Sequence, residues 1–105
     1  MNDFLLIRQM ASKGLDLPDN LVDNLLPSHL VSLADRHFTS CYVARLSASY
    51  LAQRDNVRIL DIGSGTGKFC LVGALYHPAQ YIGVEYRTEY VAIAREFAAK
   101  LSLGM

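Results

Sequence analysis

Val57-Arg58-Ile59-Leu60-Asp61-Ile62-Gly63-Ser64-Gly65-Thr66-Gly67-Lys68-Phe69, or VRILDIGSGTGKF, decides the reading of this 105-residue chain. A short β-branched run at 57–62 gives way to glycines at alternate positions. From Thr66 to about Tyr76 the apolar residues Phe69, Val72, Leu75 and Tyr76 then fall at helical spacing. A parallel strand entering a helix through such a turn makes a ligand-binding corner, with room for close approach and unpaired N–H groups at the helix start. His77-Pro78 stops the helix, because proline cannot continue the hydrogen-bond ladder. Residues 81–85, YIGVE, spell a second strand. Thr88 is placed to cap a last helix with Val91, Ala94, Phe97 or Ala98, and Leu101 inward, and Gly104 stands where that helix would stop. Residues 56–103 thus predict β-α-β-α, the opening of a doubly wound parallel sheet.

The first half predicts helices. Residues 3–13 carry Phe4, Ile7, Met10 and Ala11 as a helical stripe ending at Gly14. Pro18 and Pro27 each suit the first turn of a short helix, with 35–38 as a connector. Thr39 is an expected N-cap for a helix to about Gln53, with Val43, Leu46, Tyr50 and Leu51 on its inner face. The chain divides into a helical N-terminal segment, 1–55, and a β-α-β-α unit, 56–105, neither large enough to stand as an independent domain.

Ten basic residues balance ten acidic ones, so no surplus charge advertises nucleic acid or an anionic membrane. Cys41 and Cys70 form no CxxC or Cys/His cluster, and His29, His37 and His77 show no metal spacing. No metal is expected, and both cysteines read as reduced, half-buried apolar residues. There is no apolar run of membrane-spanning length and no leader-like N-terminus, which makes a cytoplasmic location the expectation. Lys68 is expected to point to solvent with its stem covering neighbours.

Two phosphate-binding fingerprints fail on the glycine spacing. The dinucleotide pattern G-x-G-x-x-G needs a third glycine where Lys68 or Cys70 stands, and the P-loop lacks its Gly-Lys-Ser/Thr. What remains is D-x-G-x-G-x-G at Asp61, Gly63, Gly65 and Gly67. This run resembles the first motif of class I S-adenosylmethionine-dependent methyltransferases. The wider pattern HFTSCYVARL, DIGSGTGKFCLVGAL and GVEYRTEYVAIA is similar to a bacterial branch of that family. The resemblance implies that Asp61 helps to bind the amino-acid end of S-adenosylmethionine, and that the turn Gly63, Ser64, Gly65, Thr66, Gly67 lies against the cofactor. A carboxylate suits a ligand that carries a sulfonium and an ammonium but no phosphate. Glu85, 20 residues after Gly65, can accept both hydroxyls of a ribose. The family uses its matching acid in this way, and by carry-over Tyr86 flanks the adenine. The family also folds a segment before its first strand over the cofactor, which points to His37, Phe38 and Thr39.

The resemblance implies a partial, Rossmann-like fold, with the family's later strands and catalytic motifs not represented. The chain is therefore expected to be an N-terminal piece of a methyltransferase acting on an unknown acceptor, with no catalytic residue assignable. One edge of the first strand would lack its neighbour and invite self-association. Two further readings stay open at this point: a non-catalytic module acting through a partner, and half of a nucleotide-binding oxidoreductase.

Overall fold

The computed structural model describes residues 2–34 and 38–103. His37, the greater part of the predicted connector and Gly104 lie outside the described residues. Among the described residues, six helices and two strands follow one another as α1 (Asp3–Ser12), α2 (Asp19–Asp23), α3 (Ser28–Val31), α4 (Cys41–Leu51), β1 (Arg58–Ile62), α5 (Lys68–Tyr76), β2 (Gln80–Val84) and α6 (Thr88–Lys100). The strands pair in parallel, with Asp61 opposite Gly83 and Ile62 opposite Val84. The architecture is mixed α/β, built around a two-stranded parallel sheet.

Capping explains several boundaries. Asn2 accepts the Leu5 N–H at 2.8 Å to start α1. Ser40, not Thr39, caps α4, its Oγ accepting the Val43 N–H at 3.1 Å. Thr88 is already the first helical residue of α6, whose cap position is Arg87, and no side chain caps it. Both predicted threonine caps were thus one residue out, an error that side-chain chemistry alone does not resolve, since Ser40 and Thr39 are near-equivalent caps.

The helix α5 is apolar nearly all round, which marks a central element. Leu71 and Val72 join a core with Ile7, Leu17, Leu26, Leu30, Cys41, Ala44, Phe97 and Leu101, drawn from both halves of the chain. Cys70 joins Ala48, Ile59 and Tyr81 in a second cluster beneath the sheet. Both cysteines are fully buried rather than half-buried, and burial pushes each thiol up to about 12. The small side chains of Cys41, Ala44 and Ala48 are the buried face of α4. Val43, Leu46, Tyr50 and Leu51 are exposed, which reverses the face expected from sequence. The stripe is amphipathic as predicted, but the small residues opposite it are what pack closely on α5.

The sheet is covered on one face. Ile59 and Tyr81 point into the helical layer, while Leu60, Ile62, Ile82 and Val84 stand exposed on the other side. Among the described residues, no helix is long and apolar enough to cross a membrane.

Candidate functional site

The turn after β1 places its glycines at φ +74° (Gly63), +61° (Gly65) and +87° (Gly67). A side chain at Gly67 would also meet the Ala94 Cβ at 3.0 Å, so α6 packs where only hydrogen fits. Backbone geometry therefore accounts for the glycines without a ligand. Gly63 differs in one respect: nothing lies within 4 Å of the position its Cβ would occupy.

The turn spends its own N–H groups. Those of Gly63 and Ser64 donate to the Val84 carbonyl at 2.8 and 3.0 Å, and that of Gly67 to the Ser64 carbonyl at 3.0 Å. The Gly65 N–H donates to Glu85 Oε1 at 2.9 Å. Four donors that would cradle a phosphate in a nucleotide loop are thereby engaged within the protein.

Beside the turn lies a cleft of about 320 Å³, walled by Phe38, Thr39, Asp61, Gly63, Ser64, Gly65 and Arg87, with Leu33, Lys68, Phe69 and Tyr90 completing it. The Phe38 ring approaches Gly65 to 3.3 Å from where a Cβ would stand and meets the Tyr90 ring edge-on, centroids 5.9 Å apart. The structure thus brings Thr39, Asp61, Gly63, Ser64 and Gly65 together, with Glu85 hydrogen-bonded behind the turn. Three predicted residues stand elsewhere. Thr66 is buried away from the cleft, Gly67 faces a second, mostly apolar cavity between β2 and α6, and Tyr86, 88% exposed, stands outside the cleft wall with its ring centroid 5.5 Å from the Arg87 guanidinium carbon.

The two carboxylates differ in state. Asp61 is half-buried, and loss of solvent raises its pKa above the ordinary carboxylate value. The Glu85 side chain is only 2% exposed, yet its pKa falls to about 2. The Arg87 guanidinium and backbone N–H are the main cause, and the Gly65 N–H adds to them. Arg87 escaped the sequence reading, although its place two residues after Glu85 was a usable signal.

Lys68 was also misplaced. Far from pointing to solvent, it is 6% exposed and its Nζ bonds Asp19 at 2.8 Å and Asp23 at 2.7 Å. Burial pulls its pKa down, but the hydrogen bonds to Asp19 and Asp23 outweigh it and the ammonium ends above its usual value. Asp19 in turn accepts the Cys41 N–H at 2.7 Å. The first turn of α5, helix α2 and the start of α4 are thereby tied at one point, which fixes the segment carrying Phe38 and Thr39 beside the cleft. Asp19 and Asp23, four apart, share one helix face, and that spacing was legible. Among the described residues no cluster of His, Cys, Asp or Glu could hold a metal ion.

Comparison with protein families gives one match, to a family described as a methyltransferase domain, over residues 53–104. The matched stretch supports a partial class I methyltransferase domain. The match begins just before β1 and takes in the glycine turn, both strands and α6, so the cleft's Asp61, Ser64 and Arg87 lie inside the methyltransferase domain while Phe38 and Thr39 lie before the matched stretch. No curated protein and no solved structure gave a match.

Proposed function

We propose that the cleft binds S-adenosylmethionine and that the domain serves methyl transfer to an acceptor, within a Rossmann-like fold of which this chain carries the first strands. The observation that carries the reading is the pairing of two carboxylates with a glycine turn four of whose N–H groups are already engaged. Such a corner offers little to a pyrophosphate and much to a ligand that is cationic at one end and carries a diol at the other. That also disfavours the oxidoreductase reading. Asp61 would face the ammonium, Gly63 leaves open space for the ligand's chain, and Glu85, hydrogen-bonded to the Gly65 N–H beside the cleft, would take the ribose. Ser64 and Thr39 line the same cleft. Thr66 and Gly67 support the turn from behind it, and Tyr86 is free to move over an adenine.

When bound, the cofactor supplies an electrophilic methyl on a sulfonium. The protein's part is to orient that group and exclude water from it. Calorimetric titration with S-adenosylhomocysteine, run beside NAD, tests the reading. Binding of the first, weakened in Asp61→Ala, is the expected result. A tighter NAD signal, or no heat from folded protein, overturns it.

One observation favours a second reading, of a module completed by another copy of this chain. Leu60, Ile62, Ile82 and Val84 form an exposed apolar sheet face beside an edge of β1 that pairs with nothing among the described residues. Sedimentation decides it: a monomer at all concentrations ends that reading.

A further inference from the structure

We infer that Arg87 is a built-in competitor for the ligand's diol, and so sets how strongly the cleft discriminates nucleosides that carry one. The inference rests on the nucleoside reading of the cleft and concerns what that reading leaves unassigned.

An ionised carboxylate offers about four acceptor positions. On Glu85 all four are taken. Oε1 accepts from the Gly65 N–H at 2.9 Å and Arg87 Nη2 at 3.2 Å; Oε2 accepts from the Arg87 N–H at 3.0 Å and Arg87 Nε at 2.7 Å. Two of these donors are backbone and hold the carboxylate in place. The other two belong to one guanidinium, whose parallel N–H groups occupy one position on each oxygen. A vicinal diol reaching both oxygens needs those same two positions. Ribose and the Arg87 side chain therefore cannot both be bound to Glu85 in full.

The surroundings give the guanidinium somewhere to go. Its central carbon already sits 4.2 Å from the centroid of the Tyr90 ring and 5.5 Å from that of Tyr86. A small rotation leaves it stacked on an aromatic face while Glu85 is released. Arg87 also lines the cleft on its own account, as Asp61 does, so its movement alters the wall the ligand meets. A ligand with two hydroxyls recovers what displacement costs. One without them leaves the ion pair intact and gains nothing from Glu85.

The test compares native protein with Arg87→Met, which keeps the apolar stem and removes the donors, and with Arg87→Lys, which keeps the charge but not the fork. Adenosine and 2′,3′-dideoxyadenosine are titrated against each by NMR, and S-adenosylhomocysteine by calorimetry. Arg87→Met should bind adenosine and S-adenosylhomocysteine about fivefold more tightly, the scale of one partly exposed ion pair. Dideoxyadenosine should bind all three proteins alike, with Arg87→Lys intermediate for adenosine. The Arg87 Nε proton, protected in the free protein, should lose protection on saturation with adenosine and keep it with the dideoxy compound. Native binding of adenosine that weakens or stays the same in Arg87→Met overturns the competitor and leaves the nucleoside site standing. If no variant binds either diol ligand, the nucleoside reading falls and the competitor falls with it.

Discussion

The two sides of α5 are finished to different degrees. Towards the N-terminal helices it is sealed, with Val72 and Leu71 in a continuous core and even a lysine folded inward onto two aspartates. Towards the sheet it covers Ile59 and Tyr81, but the strands' other face is bare, and the outer stripe of α4 is bare too. The contrast shows where binding energy is already committed and where it is still on offer. The cleft lies between the two, at the turn that joins β1 to α5.

The sealed side breaks at Lys68. Lys68→Met leaves the Asp23 carboxylate, 11% exposed, without its cation, and should cost about 3 kcal/mol in urea unfolding. Adding Asp23→Leu should return most of that loss, since a buried pair is replaceable by apolar packing where a lone charge is not. A single variant with the native urea midpoint would show that the ion cluster is not what holds α2 to α5.

The carboxylates of Asp61 and Glu85 sharpen the comparison through pH. For Glu85 the folded pKa of about 2 lies below the ordinary 4.5, so the folded state holds its proton less tightly. Its stabilising effect is complete above about pH 4.5 and disappears as pH falls through 2. Asp61 has the opposite sign. Its folded pKa is raised by burial, so its stabilising effect is complete below the ordinary value of 3.8 and is lost as pH rises from there through the raised folded value. Asp61→Asn should therefore leave thermal stability at pH 7 unchanged or higher while weakening S-adenosylhomocysteine about tenfold, the loss of one charge-assisted hydrogen bond. A variant that loses stability and affinity together would make Asp61 a structural residue.

Gly73 marks where the sealed side meets the sheet. A Cβ there would stand 2.8 Å from the Tyr81 ring, and that ring is held by its hydroxyl donating to the His77 carbonyl at 2.8 Å. Gly73→Ala gains about 1 kcal/mol of helix propensity and loses about 2 kcal/mol to overpacking. The net, about 1 kcal/mol of destabilisation by chemical denaturation, separates a real contact from a ring free to swing aside.

Local chemistry was legible in this sequence, and dependence on distant partners was not. The glycine turn, both strands and the proline stop declare themselves within a few residues, and so does the meeting of Asp61, Gly63, Gly65 and Glu85, because the turn and strand ends dictate it. Lys68 was misread because its partners lie 45 and 49 residues away on a helix whose docking no periodicity reveals. The α4 face was misread because Val43, Leu46 and Tyr50 obey helical spacing as faithfully as Cys41, Ala44 and Ala48 do. Which stripe turns inward depends on how closely α5 approaches, and small residues win there. Arg87 was passed over because a charged residue three beyond a strand end usually meets water, whereas here the Glu85 carboxylate, held by the Gly65 and Arg87 backbone N–H groups, takes its guanidinium.

The smallest expected effect tests the open side. Ile62 is 78% exposed at the end of β1, so Ile62→Lys removes almost no buried surface and should change stability by less than about 0.5 kcal/mol. The same change puts a charge on the apolar strip formed with Leu60, Ile82 and Val84, a substitution that discourages strand-to-strand association. If the open face is a contact between copies, Ile62→Lys should lower the sedimentation coefficient at high concentration and leave the urea midpoint where it was. A large loss of stability would mean instead that the strip is packed within a single chain. The contrast between the two sides of α5 would then disappear.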